Sequence, residues 1–191
     1  MLGLSSFSQS PFSALGDNLI DVSIEEGNVV TGAQLNHSVL STYDSGETSY
    51  LDYFGYSVAT DGVHAIVGAY QEDDAGSTSS GKAYIYNATT GALLHTLDNP
   101  NPVDTSFSDY FGYSVAIDGN YAIVGAPYEG SNKFGKAYIY NATTGALLYT
   151  LDNPNAFGTA DNDFFGISVA ISGNTAIVGA NREGDAGGTF Y

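Results

Sequence analysis

Acidic side chains are the residues of this chain best suited to hold a metal ion. They concentrate in two loop segments, one made of Glu72, Asp73 and Asp74 and the other containing Asp161 and Asp163. Hard cations such as Ca²⁺ bind carboxylate and carbonyl oxygens, typically about six to eight of them. The two segments therefore predict candidate cation sites, with calcium as the ion. We favour the interpretation that both are solvated acidic loops, because neither contains a full ligand set, and a bound cation is the alternative.

Aromatic side chains in loops are the second set of candidates. The chain has 15 tyrosines and 10 phenylalanines, and Tyr70, Tyr128 and Phe134 fall in the polar segments between apolar ones. Because aromatic rings provide rigid contact area, these three residues predict a surface that contacts a protein or glycan partner. Four tyrosines inside apolar segments are instead predicted to pack between neighbouring structural units: Tyr84, Tyr86, Tyr138 and Tyr140.

The elements that must position these residues come from an internal repeat. Asp52–Ala69 matches Asp109–Ala126 at 15 of 18 positions, and Gly81–Asn101 matches Gly135–Asn155 at 20 of 21. A third copy begins at Asp163. Self-similarity at a nearly fixed period indicates an array of small units that stack on their neighbours to share a core. An aspartate opens every copy, which suggests a structural role for that position.

Each full repeat predicts four short strands and no helix. Short runs of alternating or continuous apolar residues are typical of strands, and the glycine-containing turns between them favour hairpins. No segment shows the periodicity of an amphipathic helix. In the first repeat the predicted strands are Phe54–Thr60, His64–Ala69, Lys82–Asn87 and Ala92–Leu97. We therefore predict an all-β protein.

The predicted organisation along the chain has five parts. They are an irregular N-terminal arm at 1–17, a diverged partial repeat at 18–51, the first repeat at 52–108, the second at 109–162 and a truncated third at 163–191. The partial repeat is inferred because Asn28–Leu35 resembles Asn87–Leu94.

Catalytic chemistry is not predicted from this sequence. The segment around Ser57 is one glycine short of the G-x-S-x-G nucleophile elbow, and its copies lead into strands rather than helices. The three histidines are each replaced by another residue in the sister repeats, and the chain has no cysteine. Because catalytic sites need convergent groups, we expect the chain not to be an enzyme.

The repeat resembles a known family. Phe-Gly, Ser-Val-Ala, Ile-Val-Gly-Ala-Pro and Gly-Lys-Ala-Tyr-Ile-Tyr follow one another in the middle copy, which contains Phe111–Gly112 and Gly125–Pro127. This pattern resembles the FG-GAP repeat, the blade unit of the integrin α-subunit β-propeller and of many microbial surface proteins. The resemblance implies a β-propeller-type array of four-stranded antiparallel blades, with two full blades and partial blades at both ends.

One feature of that family is missing. Its usual calcium loop, an Asp-x-Asp-x-Asp-Gly hairpin between the first two strands, is replaced by Asp61–Gly62, Asp118–Gly119 and Ser172–Gly173. A single carboxylate on a short turn cannot supply calcium's ligands. The resemblance therefore implies a calcium-free variant with no cofactor in these hairpins, so the two acidic segments are the remaining cation candidates.

The number of predicted blades bears on assembly. Joining the two partial ends would give three blades, whereas propellers have about four to eight. We therefore expect completion by a longer parent chain or by other copies of the chain, or an open stack within a larger assembly. Self-association is the predicted protein contact.

Charge limits the classes of partner. Four basic residues stand against 21 acidic ones, for a formal net charge of −17. Such a surface repels phosphates and anionic lipid, which argues against nucleic acid as a partner and against membrane insertion. The sequence shows no signal peptide and no apolar run of the ~20 residues that a spanning helix needs.

These observations predict a non-catalytic structural or adhesion module, extracellular and located on a cell surface or a virion, that binds protein or glycan through blade loops. One alternative is a propeller domain or subunit of a secreted enzyme with catalysis elsewhere. A further alternative is a cation-dependent binding module.

Overall fold

The computed structural model describes seven parts of the chain: 29–30, 42–43, 52–72, 79–101, 108–130, 133–154 and 162–183. These residues form strands and turns without a helix, and hence no helix capable of crossing a membrane is found in them. The predicted arm at 1–17 lies outside the described residues, as do Asp73, Asp74 and Asp161.

The described residues contain twelve strands. They are β1 Val29–Val30, β2 Thr42–Tyr43, β3 Phe54–Thr60, β4 His64–Ala69, β5 Lys82–Asn87, β6 Leu93–Asp98, β7 Ser114–Asp118, β8 Tyr121–Ala126, β9 Lys136–Asn141, β10 Leu147–Asp152, β11 Ser168–Ser172 and β12 Thr175–Gly179. The first three strands of the first repeat have the predicted bounds. The fourth begins and ends one residue later than predicted.

The strands form two complete four-stranded sheets. β3, β4, β5 and β6 pair antiparallel in chain order to make the first blade, and β7 to β10 pair in the same way to make the second. β11 pairs with β12 to give the described part of the third repeat, and β1 pairs with β2 within the region predicted as a diverged repeat. The prediction of an all-β array of antiparallel four-stranded blades is confirmed.

The core lies between the blades. Most side chains of β4, β5 and β8 are buried, as expected for strands covered on both faces. Ile66 and Ile85 of the first blade share one apolar cluster with Phe111, Val115 and other residues of the second. Removing this apolar surface from water is the main force that holds neighbouring blades together.

The second and third Phe-Gly pairs each join their repeat to the preceding one by hydrogen bonds. The backbone N–H of Phe111 donates to the carbonyl oxygen of Ser80 at 3.0 Å, and the Ser57 hydroxyl donates to the carbonyl oxygen of Gly112 at 2.8 Å. The next boundary repeats the second bond, from Ser114 to Gly166, at 2.8 Å. The serine of the Gly-Tyr-Ser segment, which resembles a nucleophile elbow, therefore joins one blade to the next through a hydrogen bond.

Carboxylate and amide side chains close the tight turns. Asp61 Oδ1 accepts hydrogen bonds from the backbone N–H groups of Val63 at 2.8 Å and His64 at 2.6 Å. Burial alone would raise the pKa of Asp61. The backbone hydrogen bonds and the nearby His64 ring lower it by more, so the pKa of Asp61 lies below its usual value. At the outer turn, Asn87 Oδ1 accepts from the N–H groups of Thr89 and Thr90. Asp61 thus stabilises the hairpin at the position where the family's calcium loop would lie.

Candidate functional site

Aromatic side chains cluster at one end of the repeats, where each first strand begins and each second strand ends. We call this set the aromatic row; its members are Tyr53, Tyr56, Tyr70, Tyr110, Tyr113, Tyr128 and Phe164. Tyr53 and Tyr56 at its first end are 47% and 49% exposed. The first-repeat end of the row is therefore exposed to solvent, the middle tyrosines are half-buried, and Phe164 at the other end is buried.

The rings contact one another across two repeat boundaries. The centroids of Tyr56 and Tyr70 lie 4.5 Å apart, and those of Tyr70 and Tyr110 lie 5.0 Å apart. Tyr128 continues the series, 4.6 Å from Tyr110 and 4.7 Å from Phe164. The pairs are tilted or edge-on, which are the arrangements that aromatic quadrupoles favour. The row is consequently continuous from the first repeat to the third.

The backbone positions three members of the row in a costly conformation. Tyr53, Tyr110 and Phe164, each directly before a Phe-Gly pair, have φ values of 53°, 57° and 57°. For residues with a Cβ this left-handed region costs about 1–2 kcal/mol. The turn is held by hydrogen bonds such as that from the Tyr113 N–H to the Tyr110 carbonyl at 3.1 Å. Strained backbone persists where the surrounding structure requires it and is frequent at functional sites.

Two of the chain's four basic residues lie over the row. Lys133 Nζ is 5.2 Å from the centroid of the Tyr128 ring, and Arg182 Cζ is 5.1 Å from that of Phe164. Both distances are in the range of cation–π interactions. The third-repeat end of the row therefore carries positive charge, while its first-repeat end presents tyrosines.

Two tyrosines of the row join successive repeats through their hydroxyls. Tyr56 donates a hydrogen bond to the Tyr113 hydroxyl oxygen at 3.0 Å. Contact with the neighbouring Tyr56 hydroxyl, together with partial burial, raises the pKa of Tyr113 to about 12. The ring therefore remains a neutral phenol at physiological pH.

Behind the row, each full blade contains a buried glutamate, which accepts a hydrogen bond from a tyrosine of the blade's third strand. Glu129 is 1% exposed and accepts hydrogen bonds from the Tyr138 hydroxyl at 2.6 and 2.7 Å. Burial raises the pKa of Glu129 to about 8 against the opposing hydrogen bond, and the nearby Asp109 adds to the rise. In the first blade, Tyr84 donates to Glu72 and burial again raises the pKa of the carboxyl.

The lysines beside these glutamates differ between the blades. Lys82 lies 3.7 Å from both Glu72 and Asp98. Lys136, its equivalent, bonds to Asp152 at 2.5 Å.

The aspartates that open the second and third repeats each accept a hydrogen bond from the preceding blade. Asp109 accepts a hydrogen bond from the Asn99 side-chain amide at 3.0 Å, and Asp163 accepts the same bond from Asn153 at 3.1 Å. Both aspartates are buried. This pairing provides a structural reason for the recurrence of aspartate at that position.

The predicted cation ligands are distributed among these contacts. Glu72 and Asp163 are 5% and 2% exposed, and they belong to different repeats with different partners. Within the described residues, no group of three or more His, Asp or Glu side chains is arranged to hold a metal ion. Since Asp73, Asp74 and Asp161 lie outside those residues, the cation sites stay a prediction.

The three predicted partner-contact residues lie in two different environments. Tyr70 and Tyr128 lie in the aromatic row, whereas Phe134 is half-buried and its carbonyl oxygen accepts from the Phe165 N–H at 2.9 Å. Sequence reasoning missed five members of the row: Tyr53, Tyr56, Tyr110, Tyr113 and Phe164. A usable signal was present, because an aromatic residue precedes the Phe-Gly pair in all three copies.

A cleft of about 280 Å³ lies between the second blade and the β11–β12 hairpin. Its lining is partly polar and partly apolar and comprises Tyr121, Ile139, Tyr149, Ile171, Gly173, Asn174 and Ala176. Tyr121 and Tyr149 are the ionisable side chains of this lining.

The chain matches the FG-GAP repeat family over residues 45–86, 101–140 and 156–191. Together these three matches cover more than half of the chain. The chain belongs to the FG-GAP repeat family. This FG-GAP protein is a propeller-type repeat module of the structural or binding kind. Its second and third Phe-Gly pairs form the hydrogen bonds between blades that are described above.

Comparison of the FG-GAP protein with curated proteins finds no match. Among solved structures, BamB from Moraxella catarrhalis is 20% identical, with 73% of this chain and 33% of that chain covered and a TM-score of 0.42. The computationally designed Ika4 protein is 16% identical, with 68% and 86% covered and a TM-score of 0.28. The FG-GAP protein thus spans a third of the length of the Moraxella protein.

Proposed function

We propose that this FG-GAP protein is a non-catalytic structural or adhesion module that binds a protein or glycan through the aromatic row. Its place is extracellular, on a cell surface or a virion, and its blades are completed by a longer parent chain or by other copies. Neither nucleic acid nor a membrane is its partner, because the net charge of −17 repels phosphate groups.

The aromatic row is the observation that carries this proposal. Tyrosine side chains offer large, rigid and amphipathic contact area at low entropic cost, and for this reason they are enriched at recognition surfaces. Tyr53 and Tyr56 keep about half of their surface in water although apolar burial would stabilise them. A row that extends over three repeats suits an extended ligand better than a small molecule.

A binding screen with matched variants tests the proposal. The full chain, immobilised, is exposed to a glycan array and to a library of cell-surface proteins. We expect a ligand whose affinity falls by about tenfold or more when Tyr56 and Tyr70 are both changed to serine, as for central aromatic contacts. Tyr149→Ser is the control, because Tyr149 is 62% exposed and lies on β10 outside the row.

Two outcomes would overturn the proposal. One is that every ligand found binds the row variant and the wild type equally. The other is that Tyr149→Ser removes binding as strongly as the row variant does, which would place the contact surface elsewhere.

A further inference from the structure

The Tyr56–Tyr113 pair has a geometry suited to covalent chemistry. The hydroxyl oxygens lie 3.0 Å apart, the ring centroids are 5.0 Å apart and the ring planes are inclined by 50°. In a phenol the reactive ortho carbons flank the carbon that bears the hydroxyl. A contact between two hydroxyls therefore also brings the ortho edges of the rings close together.

Oxidative coupling of two such phenols is a balanced reaction. A one-electron oxidant, such as a haem peroxidase with hydrogen peroxide, takes one electron from each ring, and each hydroxyl releases its proton. The two phenoxyl radicals share a new bond between their ortho carbons, and the ring hydrogens at these carbons move to the oxygens. The peroxide accepts the two electrons and two protons and becomes two water molecules.

We propose that Tyr56 and Tyr113 form a dityrosine cross-linking site that joins the first repeat covalently to the second. Tyr56 is 49% exposed and Tyr113 is partly exposed, so a diffusible oxidant has access to the pair. Tyr70 packs on both rings, with centroid distances of 4.5 and 5.3 Å, and holds them in place. The site is independent of which ligand the aromatic row binds.

The amino-acid composition of the chain indicates that a cross-link at this site would stabilise the fold. The chain contains no cysteine, so a disulfide cannot connect its blades, whereas tyrosine is abundant with 15 residues. A cross-link between positions 57 residues apart would restrict the unfolded chain in the way that a disulfide does. We therefore expect the oxidised protein to unfold at a higher urea concentration than the untreated protein.

The test treats the dilute full chain with a haem peroxidase and hydrogen peroxide. The expected product shows the blue fluorescence of dityrosine, has lost two hydrogen atoms by intact mass, and migrates as a monomer on a denaturing gel. Peptide mapping should join the peptide containing Tyr56 to that containing Tyr113. Tyr56→Phe and Tyr113→Phe should each abolish this product, since phenylalanine forms no phenoxyl radical.

Tyr149→Phe is the control, because it removes an exposed tyrosine outside the row and should leave the product unchanged. The proposal is overturned if the wild-type peptide map joins other tyrosines instead. It is also overturned if oxidation yields only covalent dimers between chains, or if Tyr56→Phe and Tyr113→Phe both retain the wild-type fluorescence. The map of the wild-type product decides the matter even if one variant fails to fold.

Discussion

The carbonyl oxygen of Gly112 lies 2.0 Å from the position that a Cβ atom on Gly68 would occupy. Gly68 is the glycine of the Gly-Ala segment that ends one blade's second strand, and Gly112 belongs to the Phe-Gly pair of the next blade. Gly125 and Gly166 repeat the relationship at the next boundary, also at 2.0 Å. The two glycines of the repeat are therefore required because neighbouring backbones pass each other at this point.

Replacing either of the close-approach glycines should destabilise the stack. Gly68→Ala and Gly125→Ala each place a methyl group against a backbone oxygen that cannot move independently, so we expect a loss of about 1–3 kcal/mol or more in the free energy of unfolding. Urea unfolding of the full chain, followed by circular dichroism, measures the loss.

Gly179→Ala is the matched control at the same position of the third repeat. The nearest atom to its added Cβ is the Ser168 hydroxyl oxygen, which can rotate away, rather than a backbone oxygen of another repeat. We expect a much smaller loss for this variant. Equal losses at all three positions would show that the inter-blade contact is not the cause.

The serine of each first strand should contribute a measurable hydrogen bond between blades. Ser57→Ala removes the 2.8 Å bond to the Gly112 carbonyl and should lower the free energy of unfolding by about 1 kcal/mol. Ser168, the exposed equivalent in the third repeat, provides the control. If Ser168→Ala lowers stability as much as Ser57→Ala in the same urea titration, the bond between blades is not the source of the effect.

The Phe-Gly phenylalanine should matter most where it lies between two blades. Phe111 is fully buried and contacts Tyr138 and Tyr140, so Phe111→Ala should cost about 3–5 kcal/mol. Phe54, its half-buried counterpart in the first repeat, contacts Tyr84 and should cost clearly less when changed to alanine. Thermal and urea unfolding of both variants compare the two losses; a larger loss at Phe54 would contradict this reading of the core.

Most of the fold could be predicted because the same pattern of apolar residues and turn residues recurs in successive repeats. Alternation in Phe54–Thr60 and the apolar run in His64–Ala69 fixed two strands at their observed bounds. The fourth strand was misplaced by one residue because the apolar run begins at Ala92, whereas the strand begins at Leu93. The Ala92 N–H donates instead toward the turn, to the Thr90 hydroxyl oxygen at 3.3 Å.

The candidate site was only partly predictable, for two physical reasons. Tyr53 and Tyr110 adopt positive φ, a conformation that sequence patterns assign to glycine or asparagine, so their side chains could not be placed from strand alternation. The contact of Tyr56 with Tyr113 depends on how two blades stack, which strand periodicity does not encode. Loop composition did identify Tyr70 and Tyr128, since both follow the end of a buried strand.

The buried glutamate of the second blade should make stability depend on pH. The pKa of Glu129 is raised to about 8 in the folded protein from an ordinary value of 4.5. The folded state thus holds this proton more tightly than the unfolded state does. The associated stability is fully present below pH 4.5 and is lost as the pH rises through 8.

Glu129→Gln imitates the protonated side chain and should therefore flatten this dependence. We expect the variant to be more stable than the wild type at pH 8, by on the order of a few kcal/mol, and similar to it at pH 4.5. Some slope should remain, because burial also raises the pKa of Glu72. Glu183→Gln, at the exposed equivalent position of the third repeat, should leave the wild-type profile unchanged. Urea unfolding across this pH range measures all three proteins, and a wild-type stability that rises steadily with pH would contradict the burial of a protonated Glu129.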